Sequence, residues 1–299
     1  MQTLQFKNRP HYYFSNVNEF LEYVDPKIVA TKGYGNNEVS QTRRETNWMR
    51  QWRGGLTYEG AHQMAKLGAF MSPALLTLRD KMVSAIRPNI EQTCYMDVTG
   101  GSQFDIGAVL SGIPECVYAY RDETANSRKT ISLIYNFCAS AGVSEQILRW
   151  RGIAFLALVD AIETSKRYRT NVYLACDNNG GGGVRDHVLI VKAKGTDAPY
   201  DPQALGFTVG HPAMLRCLAF GFYEIQFGVN CHSSMGMPGS CYELPTELGE
   251  SEAMATEGAK LGDYVNTDAI HDERSAMMWV IDQLENYGIT CLGIEDHTV

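Results

Sequence analysis

The chain has 299 residues and a mass of 33.3 kDa, so by the size scaling of folded surfaces it buries roughly three quarters of the area that its unfolded form exposes. With 44% hydrophobic and 20% charged residues, its composition excludes intrinsic disorder, collagen and coiled-coil arrays. The formal charge of -8 is polarised, since residues 1–90 hold 12 basic and 7 acidic side chains whereas residues 232–299 hold 2 and 13. A basic first third suits an anionic partner, and the acidic end repels one or forms a solvated face.

Residues 1–35 read as a short strand followed by a small helix, because Val17, Phe20, Leu21 and Val24 recur at helical spacing behind Ser15 or Asn16 as a cap. Arg9 followed by Tyr12, Tyr13 and Phe14 pairs a cation with aromatics, and a strand edge explains the group equally well. A polar Gly/Asn/Thr-rich stretch then leads into NWMRQWRGG. Thr57 offers an N-cap to a helix with Ala61, Met64, Ala65 and Leu67 on one face, and an amphipathic pattern continues from Leu75 to Ile86. Residues 92–120 alternate strand-like segments with Gly-rich turns.

From residue 130 the pattern sharpens. TISLIYNF is an apolar, β-rich run of strand length, and the residues from Ile147 to Ile162 are so densely apolar that their helix must be buried on most of its girth. RTNVYLAC supplies a second strand, giving a βαβ unit with parallel strands. After DNNGGGGVRD, a flexible hairpin connection with no Gly-Lys-Ser/Thr to cradle phosphate, HVLIVKAK forms a strand antiparallel to its predecessor. Asp201-Pro202 starts a helix, His211-Pro212 restarts one, residues 228–270 are loop-rich, Ala276 to Leu284 is helical, and ITCLGI is a last short strand. The expected order is β(130–137), α(144–165), β(170–176), β(187–193), α(201–226), α(275–287), β(289–294).

The eight cysteines lie far apart with no CxxC pair, so they read as reduced thiols. Cys231-His232 with Cys241 has zinc-compatible residue types and lacks a regularly spaced fourth ligand. No apolar run approaches the roughly 18 residues needed to cross a bilayer, and the first residues lack the apolar core of a signal peptide. The expected location is therefore the cytoplasm, with no membrane partner.

That element order resembles a reduced von Willebrand factor A-type sheet, whose first strand ends in a cation-binding Asp-x-Ser-x-Ser loop at the carboxyl edge. Here the corresponding residues are Asn136, Phe137, Cys138, Ala139 and Ser140, of which only Ser140 keeps the motif residue. Losing the carboxylate removes the charge on which hard cations depend, so the resemblance implies a metal-independent docking loop around Asn136 and Ser140. Arg149 and Arg151 join it by opening the central helix at its positive dipole end, where Asp97, Asp105, Glu115 or a ligand phosphate would compensate them.

The segments NWMRQWRGGLTYEGAHQMAKLGA and MDVTGGSQFDIGAVLSGIPECV, continuing through Arg149, Arg151, Gly152, ALVDAIE and HPAMLRCLAF, are similar to a family of uncharacterised bacteriophage proteins. The similarity implies a viral origin, and hence the cytoplasm of an infected bacterial host, and it carries no catalytic residue.

Trp48, Arg50, Trp52 and Arg53, preceded by Arg43 and Arg44, interleave cations with aromatic faces, the combination that stacks unpaired bases while neutralising phosphates. Their i, i+4 spacing equally suits one buried helix face whose arginines point to water. Asp97 and Asp105 flank a Gly-rich turn and could bind a metal, although aspartates beside turns usually bond their own backbone. His187, His211 and His232 show no nucleophilic dyad and read as capping or surface histidines.

The sequence thus predicts an α/β protein with a von Willebrand A-like central mixed sheet, flanking helices and an N-terminal α-rich extension. Residues 1–90 form that basic extension and residues 91–299 the α/β core with its acidic loop-rich end, the two making one compact unit. The expected role is a non-enzymatic, phage-encoded adaptor that needs no cofactor. Its partner would be a phage or host protein, such as an AAA+ ATPase or RNA polymerase, and further copies of the chain are a second expected contact. The alternative is a single-stranded nucleic-acid-binding factor in phage transcription or replication.

Overall fold

The computed structural model of the protein describes residues 1–6, 9–31, 46–68, 76–77, 79–80, 84, 94–97, 103–113, 117–120, 129–140, 142–165, 168–178, 187–227, 263–265 and 267–289. Its centre is the unit that the sequence predicts. Strand β6 (Lys129–Asn136) leads through helix α6 (Glu145–Thr164) to β7 (Tyr168–Asn178), which pairs in parallel with β6, Asn136 facing Ala175. Strand β8 (His187–Lys194) returns antiparallel to β7. On the far side of β6 lies β9 (Asp263–Val265), parallel to it.

The N-terminal residues correct the expected α-rich extension. They form a hairpin, β1 (Gln2–Phe6) and β2 (Arg9–Phe14), and β2 pairs in parallel with β8, His11 facing Val188. The result is one mixed sheet ordered β1-β2-β8-β7-β6-β9. Tyr12, Tyr13 and Phe14 therefore occupy an interior strand, and all three are buried. Burial of such an aromatic run against a neighbouring strand far outweighs the few polar residues around it.

A second, three-stranded antiparallel sheet is built from β3 (Cys94–Asp97), β4 (Gln103–Phe104) and β5 (Val117–Tyr120) in the order β3-β5-β4. Helix α5 (Ile106–Leu110) lies between β4 and β5 in the chain, with Asp105 as its N-cap.

The main sheet is buried on both faces. Leu133, Tyr135, Val172, Leu174, Leu189 and Val191 point into the core shared with the helices, while the alternate residues Ile134, Tyr173, Ala175, Val188 and Ile190 are also fully buried. That is the pattern of a covered sheet and explains why its strands read as nearly unbroken apolar runs. The core on the first face is shared with α1 (Val17–Tyr23), α2 (Pro26–Thr31), α4 (Tyr58–Leu67), α6, α7 (Pro202–Gly210), α8 (Phe220–Phe227) and α9 (Glu273–Asn286). Their starts obey local capping chemistry: Asn16, Thr57, Ser144, Asp201 and Asp272 each accept a hydrogen bond from a first-turn amide. Between α7 and α8 the chain makes a π-helical stretch, Met214–Ala219, so the expected helix 201–226 is three segments. The expected last strand, 289–294, begins with a non-strand Ile289 and otherwise lies outside the described residues.

Candidate functional site

Because β6, β7 and β9 run in parallel, their carboxyl ends share one edge of the sheet with the start of α6. At that edge the chain leaves β6 through a tight local turn. Asn136 is half-buried and its Oδ1 accepts from the Cys138 amide at 3.0 Å, while the exposed Ser140 accepts from the Gly142 amide and its carbonyl from the Val143 amide. Both candidate loop residues thus lie at the rim, with their side-chain oxygens engaged in shaping the turn.

Helix α3 (Asn47–Trp52) is capped by Thr46, and its i, i+4 spacing aligns Trp48 and Trp52. Their rings stack with centroids 5.8 Å apart and planes inclined by 9°. Trp52 is half-buried against Phe220, but Trp48 is 65% exposed. The expectation of a buried tryptophan face with arginines in water holds in part: Trp52 packs on the core and Arg50 is exposed, its Nε donating to the Gly55 carbonyl, whereas Trp48 faces solvent and Arg53 is buried. The turn packs closely, for a Cβ on Gly54 would lie 2.9 Å from both His211 and Pro212. Arg43 and Arg44 lie outside the described residues.

Arg216, in the π-helical stretch, links the two features. Its Nη1 donates to the Trp52 carbonyl and its Nη2 to the Val143 carbonyl, each at 2.6 Å, and its guanidinium lies 4.5 Å from the centre of the Trp52 ring. Burial lowers its pKa to about 10, opposed by the nearby Glu145 carboxylate, so it is a cation at neutral pH. Two carbonyls and an aromatic face are a suitable setting for a buried guanidinium. π-Helical turns recur at functional sites.

A family model described as "Domain of unknown function (DUF7192)" matches residues 5–291. The chain belongs to that family. No curated protein and no solved structure matches it.

The remaining sequence candidates in this DUF7192 chain are distributed as follows. Arg149 forms an ion pair with Glu145 one turn away, and Arg151 bonds Asp268 through Nη1 at 2.9 Å and the Asp268 carbonyl through Nη2 at 3.3 Å. Glu145 and Asp268 therefore compensate the two cations at the start of α6. Asp105 accepts from the Ala108 amide at 3.0 Å, the capping use that aspartates beside turns favour. The Asp97 and Glu115 side chains and the Cys231, His232 and Cys241 group lie outside the described residues. Among the described residues no group of three or more His, Cys, Asp or Glu side chains could hold a metal ion.

His187 and His211 are buried rather than superficial. His187 belongs to an aromatic cluster with Tyr223 and Phe227, at 4.8 and 4.7 Å between centroids. His211 stacks on Phe207, and its Nδ1 accepts from the Ala213 amide at 3.0 Å, so capping is part of its role. Burial, with the positive charge of Arg149, pushes its pKa down to about 3 and keeps the ring neutral. A narrow cleft at the same edge is lined by Tyr135, Phe137, Leu148, Thr208, His211 and Leu215. Sequence reasoning missed Arg216, although an arginine inside the apolar run AMLRCLAF is the signature of a buried, paired cation. No helix among the described residues is long and apolar enough to cross a membrane.

Proposed function

We propose that this chain is a non-enzymatic docking protein that engages a macromolecular partner through the carboxyl edge of its main sheet. One observation carries the reading: Trp48 presents a large aromatic face to solvent while its helix is tied through Arg216 to Val143 in the rim turn. Rigid, exposed tryptophan is the residue type that most often dominates protein–protein contacts, because it brings large area at low entropic cost. The strand–helix–strand unit, its antiparallel third strand and the open rim after β6 support the likeness to von Willebrand A-type domains, and a rim turn without a carboxylate supports docking that needs no metal. The partner is a phage or host protein, such as an AAA+ ATPase or RNA polymerase, met in the cytoplasm of an infected bacterium, and the viral origin belongs to the same proposal.

The second reading, single-stranded nucleic-acid binding, draws on the same stacked indoles. It is the weaker of the two because, among the described residues, Arg53 is buried and only Arg50 is an exposed cation of the motif, with its Nε engaged by the Gly55 carbonyl. Tagged wild-type chain and Trp48→Ala, each used to capture partners from phage-infected cells, separate the readings when combined with a labelled-oligonucleotide titration at two salt concentrations. Docking predicts a protein retained by the wild type and lost by the variant, with no salt-sensitive oligonucleotide binding. Oligonucleotide affinity that falls steeply with salt and is lost in the variant replaces docking with the second reading.

A further inference from the structure

Three segments meet on one buried side chain. Arg216 lies 164 residues from Trp52 and 73 from Val143 along the chain, yet it donates to both carbonyls, and it is 1% exposed. Its guanidinium also lies 4.5 Å from the centre of the Trp52 ring, which stacks on the exposed Trp48. α3 has only six residues, a length at which a helix in water is not stable by itself. Its orientation must come from tertiary contacts, and Arg216 bonds both its last carbonyl and the rim turn.

We infer that Arg216 is the positioning residue of the docking surface, holding the Trp48–Trp52 stack and the turn residues 142–144 in one fixed relation so that a partner meets them as a single surface. The inference rests on the docking reading for its purpose, but the geometry it asserts exists without a partner. A planar guanidinium suits it: two separate nitrogens reach two carbonyls with the carbon between them 4.5 Å from the indole centre, whereas a lysine carries its three donors on a single nitrogen. The lysine variant keeps the charge and loses the span.

Two stacked indoles this close couple their strong electronic transitions, and a relative twist of the two in their planes gives the wild type an exciton couplet in its far-ultraviolet circular dichroism. Trp48→Phe removes it and establishes its source. Arg216→Lys is expected to lose the couplet and to raise quenching of Trp52 fluorescence by acrylamide, with cooperative thermal unfolding retained. An unchanged couplet and unchanged quenching in folded Arg216→Lys overturn the inference. Should that variant not fold, nuclear magnetic resonance of the wild type labelled with ¹⁵N-arginine decides: a clamped guanidinium gives separate, slowly exchanging Nη signals, and averaged, fast-exchanging signals overturn it. Both measurements are made without a partner. Failed capture with an intact couplet therefore refutes the docking reading alone.

Discussion

Gly152 of α6 and Gly210 of α7 meet backbone to backbone: a Cβ placed on Gly152 would lie 2.2 Å from the Gly210 Cα and 2.7 Å from the Val209 carbonyl oxygen. No side chain can yield there, since the atoms in the way belong to the neighbouring main chain. This approach brings the end of α7, and with it His211 and Pro212, against the start of the central helix at the sheet's carboxyl edge. Gly152→Ala is therefore expected to cost about 3 kcal/mol or more, read as a lowered denaturant midpoint with an unchanged slope. A loss below about 1 kcal/mol would show that the helices separate easily.

Gly54 and Gly55 form the turn after α3, and both hold positive φ, +75° and +88°. Their surroundings differ. A Cβ on Gly54 meets His211 and Pro212, while one on Gly55 meets nothing within 4 Å. Gly55→Ala should cost only backbone strain, about 1 kcal/mol. Gly54→Ala adds the clash and should cost about 2 kcal/mol or more while also weakening the Trp48–Trp52 couplet. Equal losses in the two variants would contradict the close seating of this turn.

His211 supplies a pH dependence whose direction is fixed by its lowered pKa. Its unfolded form takes up a proton near pH 6.5, whereas the folded ring resists one until about pH 3. The unfolded state therefore binds more protons in that interval, and stability falls as the pH drops below 6.5 and is unaffected by this group above about pH 7.5. His211→Asn keeps an acceptor for the Ala213 amide and removes the titration. Between pH 7 and pH 5 the wild type should lose about 2 kcal/mol more than this variant. Parallel stability curves would show that the ring is not held neutral.

At the opposite end of α6, Lys194 of β8 is buried against Glu163, with Nζ 2.6 Å from Oε1 and further bonds to the Thr170 and Gly195 carbonyls. Glu163 also accepts from the Thr170 amide at 3.2 Å and from its hydroxyl. Lys194→Met strands a carboxylate whose partners were arranged for an ion pair and should cost about 3 kcal/mol. Adding Glu163→Gln should recover part of that loss, and a strictly additive double mutant would deny the coupling.

The central unit was legible because its signals were local and redundant. Ser144 caps a helix of dense apolar content, and the flanking β-branched runs have strand length, so the expected limits 130–137, 144–165, 170–176 and 187–193 lie within two residues of those in the structure. The N-terminal hairpin was not legible as part of the sheet, since β2 finds β8 some 175 residues away and nothing local marks that pairing. The aromatic–basic motif was visible as composition, yet its orientation depended on Arg216 and the Gly54 turn, both fixed by contacts remote in sequence. Periodicity gives which residues share a helix face, not which face the rest of the molecule will cover.

The most direct measurement places a photo-crosslinking amino acid at position 48 and, as a control, at position 278, where the exposed Met278 lies on α9. Illumination in phage-infected cells is predicted to give a discrete protein adduct from position 48 and none from position 278. Adducts to nucleic acid from position 48, or the same protein adduct from both positions, would contradict docking at the carboxyl edge.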